Sequence, residues 1–307
     1  MNNTQPKQRI PVILDTDIGT DIDDTWALAF LLRCPELDVK LITTATGNTH
    51  ERAKIVAKFL EAVGRTDIPI GIGLPLEGSP CYQSDWVKDY DIEKYPGKIL
   101  KNGIQAIIDS IKTSDEEVIV LGIAPLPNLA AVLMQDPSII QKSRFIGMFG
   151  SIHKGYFGSD KVAAEYNVKL YPYSCREVFS SKWKKTITPL DTCGIIQLKG
   201  DNYQRIRNCN NVLVQAIMEN YDCWTKFNKN PLYNGFDPQT ESSILYDLVP
   251  IYLAFSGSFL NVIEHGITVT DDGHTIIDEQ GDKIHCALSW RDLQAFENLV
   301  VSRITGY

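Results

Sequence analysis

Through the first half of the chain, short apolar runs rich in β-branched residues alternate with longer stretches whose apolar positions recur every three to four residues. IPVILD (10–15), VKLITTATG (39–47) and PIGIG (69–73) read as strands, and DDTWALAFLLRC (23–34) and HERAKIVAKFLEAVG (50–64) as helices. VIVLGIA (118–124) and RFIGMFG (144–150) are two further strands around the helical PLPNLAAVLMQ (125–135). This repetition predicts an α/β fold: an open, mostly parallel, Rossmann-like sheet with helices on both faces and ligands beyond the carboxyl ends of its strands. The segment 269–288 carries DG and QG turns and predicts a β-ribbon, closed by a helix from about Trp290. Residues 74–97 and 228–238 are long polar connectors of the kind that serve as lids. With no repeat or linker in sight, 1–307 is expected to form one domain, its first nine residues a polar, disordered tail.

Composition narrows the function. A net charge of −8 disfavours nucleic-acid polymers and acidic membranes, so a small uncharged or cationic ligand is expected. No apolar run approaches the roughly 18 residues needed to span a bilayer, and the N-terminus lacks a signal-peptide core. Seven scattered cysteines without a CxxC pair suit reduced thiols, and together these features predict a cytoplasmic protein.

One stretch breaks the ordinary pattern. VILDTDIGTDIDDTWALAFLL (12–32) places Asp15, Asp17, Asp21, Asp23 and Asp24 within ten positions. Asp21 suits a helix cap, with Asp23 and Asp24 in the first turn. Asp15 and Asp17, at a strand end, have no helix dipole in register to offset both. A divalent cation accounts for them, and oxygen donors without a His/Cys cluster favour Mg²⁺ or Ca²⁺ over zinc.

Dehalogenase-type phosphatases carry a strand-end DxDx[TV], of which DTDIG matches only the aspartates. ILDTDIGTDIDDTWALA more closely resembles the N-terminal signature of the inosine–uridine-preferring nucleoside hydrolases, in a variant branch whose loop is two residues longer than DxDxGxDD. ITTATGN (42–48), LGIAPLPNLA (121–130), MFGS…AAEYNV (148–168) and SSILYDLVPIYLAF (242–255) resemble later family segments in the same order.

The resemblance implies Ca²⁺-dependent hydrolysis of the N-glycosidic bond of ribonucleosides. It implies metal ligands at Asp17, Asp24, Asp247 and the Ile123 carbonyl, and Asp17 as the general base toward a water polarised by the ion. Asp15 would orient the site; Asp23, Asn48 and Asn167 would hold the ribose diol, and Glu165 the 5′-hydroxyl. By analogy a homo-oligomer, dimer or tetramer, is expected. Tyr246 stands where many members have a histidine that protonates the leaving base. Trp86, Trp224 and Tyr233 are the aromatic candidates for stacking on the base. The tyrosine keeps a second reading open, a non-catalytic ribose- or nucleoside-binding protein; a dehalogenase-type phosphohydrolase is the more distant third.

Overall fold

The computed structural model describes residues 8–78, 80–228, 232 and 235–306. Ten strands join one sheet: β1 (Ile10–Thr16), β2 (Leu37–Thr44), β3 (Ile70–Ile72), β4 (Ile99–Leu100), β5 (Val118–Gly122), β6 (Ser143–Gly147), β7 (Lys185–Ile187), β8 (Leu260–Val269), β9 (Thr275–Ile277) and β10 (Asp282–Trp290). The helices that pack on it include α1 (Asp23–Leu32), α2 (Thr49–Ala62), α3 (Gly103–Lys112), α4 (Pro127–Gln135), α5 (Tyr166–Leu170) and α6 (Pro172–Ser180). They continue with α7 (Leu190–Cys193), α8 (Gly200–Arg207), α9 (Val212–Phe227), α10 (Leu248–Phe255) and α11 (Leu293–Thr305).

The strand order is β4-β3-β2-β1-β5-β6-β7-β10-β8-β9. Pairing is parallel from β4 through β10, and antiparallel only where β8 joins β10 and β9. From β1 the chain moves outward to β2, β3 and β4, then returns to lay β5 on the opposite side of β1. That reversal opens a crevice at the carboxyl ends of β1 and β5, the usual ligand position in such sheets. Asp15 lies there, in register with Thr43 of β2 and Gly122 of β5.

Central strands covered on both faces read as unbroken apolar runs, which is why VIVLG is buried throughout. Two apolar cores flank the sheet, one gathering Trp26, Phe30, Trp224 and Phe296, the other Phe145, Phe149, Phe179 and Trp183. Local signals end the helices. Asn211 caps α9 by accepting from Val214 N at 2.8 Å, and Gly306, with φ of +82°, terminates α11.

The expected tail of 1–9 falls mostly outside the described residues. Arg9, at its end, lies against the sheet, its Nε donating to the Leu37 carbonyl at 2.9 Å. No helix among the described residues is long and apolar enough to cross a membrane.

Candidate active site

A buried cavity opens at the switch between β1 and β5. Its lining draws on five separated segments: Asp17, Thr20, Asp21, Asp23 and Asp24; Tyr82; Ile123 and Met148; Tyr156, Glu165, Tyr166 and Asn167; and Tyr246 with Asp247, joined by Asn228 and Leu232. β1 delivers Asp17, α1 starts on Asp23 and Asp24, and the approach to α10 delivers Asp247.

Asp23, Asp24 and Asp247 each present a carboxylate oxygen within 4.8 Å of the other two, a spacing that fits a metal ion. All three are almost fully buried. Burial first, and then the charge of the neighbouring aspartates, raises the pKa of each well above the ordinary range. Asp17 is raised too, chiefly by burial, with the Arg52 guanidinium opposing. Its Oδ2 is buried and accepts no hydrogen bond among the described residues. Clustered, desolvated carboxylates with an oxygen left over suit a hard divalent cation better than any internal partner.

The donor set differs in detail from the one expected. The tight trio contains Asp23, which the sequence reading gave to ribose, whereas Asp17 lines the same cavity beside it. Asp247 occupies the position before α10 but its side chain caps nothing there, so it is available to a ligand. Thr16 donates its hydroxyl to Asp24 Oδ1 and fixes that carboxylate. The Ile123 carbonyl lies beside Asn167, whose Nδ2 approaches it at 3.4 Å and donates to the Met148 carbonyl at 3.1 Å.

Glu165 sits at the cavity wall as the cap of α5. It accepts from Asn167 N at 2.7 Å, Gly150 N at 3.0 Å and Val168 N at 3.3 Å. Burial pushes its pKa up to about 7 against the lowering effect of those amides. Asp15 stands behind the cavity: its Oδ1 accepts from Thr43 Oγ1 at 2.5 Å and Asn128 Nδ2 at 2.8 Å, and burial lifts it to about 7.

Several expected contacts fall elsewhere. Asn48 is exposed and caps α2, accepting from Glu51 N at 3.1 Å, because a strand-to-helix turn leaves orphan amides that an Asn satisfies. Trp86 is outside the cavity lining; its Nε1 donates to Glu219 at 2.8 Å and Lys58 lies 4.3 Å over its ring. Trp224 is a core residue whose Nε1 donates to the Thr20 carbonyl at 3.2 Å, so it braces the aspartate loop from below. Tyr233 lies outside the described residues. Asp21, expected as a helix cap, lines the cavity, and its Oδ1 accepts from the adjacent Ile22 N at 2.7 Å.

The aromatic wall consists instead of Tyr82, Tyr156, Tyr166 and Tyr246. The Tyr156 and Tyr246 rings meet edge to face, with centroids 6.0 Å apart. Tyr156 is held from two sides: its hydroxyl accepts from Tyr166 N at 3.0 Å, and Asp191 anchors the start of its loop through Ile152 N and His153 N at 2.9 and 2.8 Å. Nothing in a connector's composition marks which tyrosine will reach a site. Arg52 was also missed, although it recurs with Ile55, Val56 and Phe59 on the buried face of α2 and helical spacing places it inward.

Residues 12–298 match the family described as inosine-uridine preferring nucleoside hydrolase. The chain belongs to that family. It is thereby an enzyme of the class that hydrolyses N-glycosyl compounds, which sets aside the dehalogenase-type alternative. Among its relatives is the non-specific ribonucleoside hydrolase RihC of Klebsiella pneumoniae, 30% identical over 69% of this chain and 72% of the relative. The pyrimidine-specific ribonucleoside hydrolase RihA of Escherichia coli O127:H6 is 26% identical over 97% and 99%. A plant nucleoside hydrolase superposes with a TM-score of 0.82 at 19% identity, covering 98% of this chain and all of the other. The purine-preferring ribonucleoside hydrolase of Gardnerella vaginalis gives 0.79 at 21% identity, over 96% and 98%. At such identities these two likenesses speak for the fold, the open α/β sheet described above.

Proposed function

We propose that this nucleoside hydrolase cleaves the N-glycosidic bond of ribonucleosides to free base and ribose, with Asp17 as the general base. The observation that carries the reading is the convergence of Asp17, Asp23, Asp24, Asp247, Glu165 and Asn167 on one buried cavity at the β1–β5 switch. Asp17, Asp24, Asp247 and the Ile123 carbonyl would hold Ca²⁺, and the proximity of Asp23 to the trio brings it to the same ion or to the sugar hydroxyls beside it. Bound there, a divalent cation supplies polarisation of water and a clamp for the ribose diol.

Asp17 takes the proton of the attacking water through its uncommitted Oδ2 as the oxygen adds to C1′. The C1′–N bond breaks and its electron pair leaves with the base. Positive charge that develops on the sugar in the transition state is opposed by the surrounding carboxylates, which act more strongly on the transition state than on the neutral substrate. Glu165 spends its oxygens on backbone amides, so its support for the substrate is chiefly to hold Asn167 at the cavity wall.

The base lies against Tyr82, Tyr156, Tyr246 and Leu232 in this reading. None of the five histidines lines the cavity; His50 is on α2, His153 is exposed, and His265, His274 and His285 belong to the C-terminal ribbon. Protonation of the departing base therefore does not come from histidine, and Tyr246 is the hydrogen-bond donor placed where one is needed.

A panel of ribonucleosides together with p-nitrophenyl riboside, assayed for released base or reducing sugar, tests the reading. Turnover of at least one riboside is expected, and Asp17→Ala should lower kcat by about 10²–10⁴-fold, the usual contribution of a positioned base. Tight ribose binding without turnover of any riboside would favour the binding-protein alternative and refute the hydrolase.

A further inference from the structure

The lengthened aspartate loop is wound around a buried cation. Arg52, on the inner face of α2, has no solvent exposure. Its Nη1 donates to the Asp17 carbonyl and, at 2.9 Å, to the Ile18 carbonyl. Nη2 donates to Thr20 Oγ1 at 2.7 Å, and Nε to the Thr46 carbonyl at 2.9 Å. Gly19 lets the chain double back over the guanidinium: its φ is +110°, and a Cβ there would stand 2.5 Å from Cys81 Sγ and 3.5 Å from Arg52 Nη1.

A guanidinium can only donate, so Thr20 Oγ1 accepts from Arg52 and its single proton points elsewhere. That proton reaches the Asp17 side chain, to which Thr20 is hydrogen-bonded. From the opposite side Trp224 holds the Thr20 carbonyl, and Thr20 N closes the turn on the Asp17 carbonyl at 3.3 Å.

We propose that Arg52 and Thr20 are positioning residues for Asp17: a relay from guanidinium to hydroxyl to carboxylate orients the side chain and leaves its buried Oδ2 for a ligand in the cavity. Thr20 stands in the part of the loop that is longer than DxDxGxDD, so the extension brings its own orienting hydroxyl. For its kinetic consequence the proposal rests on the hydrolase reading; for its effect on a bound cation it does not. The relay explains why a fully buried arginine faces two carbonyls and a hydroxyl instead of a carboxylate: it builds the loop and orders one proton.

The test uses the full chain stripped with chelator and titrated with CaCl₂ by calorimetry, alongside kcat and KM for the best riboside. Thr20→Val keeps the shape and removes the hydroxyl. It should weaken Ca²⁺ binding or lower kcat by about 10–100-fold, the usual cost of losing a hydrogen bond behind a metal ligand. KM should change less than kcat, and the melting temperature of the stripped protein should move little. Thr20→Ser should restore affinity and kcat to within about threefold, on the argument that only the hydroxyl is needed. Arg52→Lys, which cannot serve all four acceptors, should show an intermediate loss.

Wild-type Ca²⁺ affinity and kcat in Thr20→Val would overturn the relay. So would a Thr20→Ser protein as impaired as the valine variant, because that would assign the effect to methyl packing. If Arg52→Lys does not fold, the Thr20 pair decides the matter alone. A wild-type protein that binds Ca²⁺ but cleaves no riboside refutes the hydrolase reading and leaves the relay to be judged by affinity. A wild-type protein that binds no divalent ion overturns the relay as well.

Discussion

Replacing Asn128 by alanine should destabilise the fold more than any surface change and do so through one carboxylate. Asn128 is 1% exposed. Its Nδ2 donates to Asp15 Oδ1 at 2.8 Å and to the Thr44 carbonyl at 3.1 Å, while its Oδ1 accepts from Leu74 N at 2.9 Å. The Thr44 carbonyl keeps a second donor, Gly73 N at 3.0 Å, so that loss is mild. Asp15 keeps only Thr43. One hydrogen bond to an ionisable group at about 1.5–3 kcal/mol and two neutral ones at about 0.5–1.5 each give a loss of about 3–5 kcal/mol. For a chain of this length that corresponds to a fall in melting temperature of about 6–12 °C, read by calorimetry in saturating Ca²⁺. The loss should be larger at pH 8 than at pH 5, because Asp15 ionises near 7 and the Asn128 bond favours the ionised form. A fall under about 2 °C, or one independent of pH, would refute the assignment of Asn128 as the partner that lets Asp15 carry charge behind the cavity.

The metal cluster makes two further tests. Asp247→Asn removes one of three crowded carboxylates, so the metal-free protein should melt at a higher temperature at pH 8 while Ca²⁺ affinity, measured by calorimetry, falls by about 100-fold or more; unchanged affinity would exclude Asp247 as a ligand. The pH dependence of the metal-free protein follows from the direction of the shifts. Asp15 and Glu165 are raised to about 7, and Asp23, Asp24 and Asp247 well above the usual carboxylate range. Such groups hold more protons folded than unfolded, so their stabilising contribution is complete below pH about 4 and is lost as pH rises through 7. Chelator-treated protein should therefore melt lower at pH 8 than at pH 5, and saturating Ca²⁺ should narrow the gap; a melting temperature that rises over that interval refutes the cluster's electrostatics.

The sheet was legible because its central strands are buried on both faces and its helices carry a one-sided apolar stripe. What escaped was short or depended on tertiary context. β4 and β7 are two and three residues long, too brief for any periodicity. The helical reading from Tyr203 to Phe227 breaks at Asn208–Asn211, where Asn211 begins a new helix as its cap. In the site, residues fixed by covalent neighbours to a strand end or a helix start, such as Asp17, Asp23 and Asp24, fell where expected. Residues carried by long connectors did not: Trp86 and Tyr82 share one loop, and only the tyrosine reaches the cavity. Asn48 obeyed local chemistry as a cap, and Asp21 did the opposite, leaving the cap to face the cavity. Arg52 was hidden by the ordinary expectation that a charge on a helix faces water.

The crowding of acids is costly in the resting protein and useful in the reaction for the same reason. Six carboxylates line the cavity, and no lysine or arginine does among the described residues. A basic side chain inside the cavity would relieve the repulsion, but it would also cancel the field that favours a positively charged sugar transition state. The fold places its counter-charge behind the wall instead. Arg52 lowers the pKa of Asp17 and Asp24 from the far side of the loop, where it shapes the backbone without entering the substrate's space. A divalent cation then offsets part of the remaining charge from within, at the position where it can also grip a diol. Partial compensation is thus the arrangement the chemistry requires: enough to keep Asp17 ionised and the loop folded, and too little to neutralise the cavity that must receive a cationic sugar.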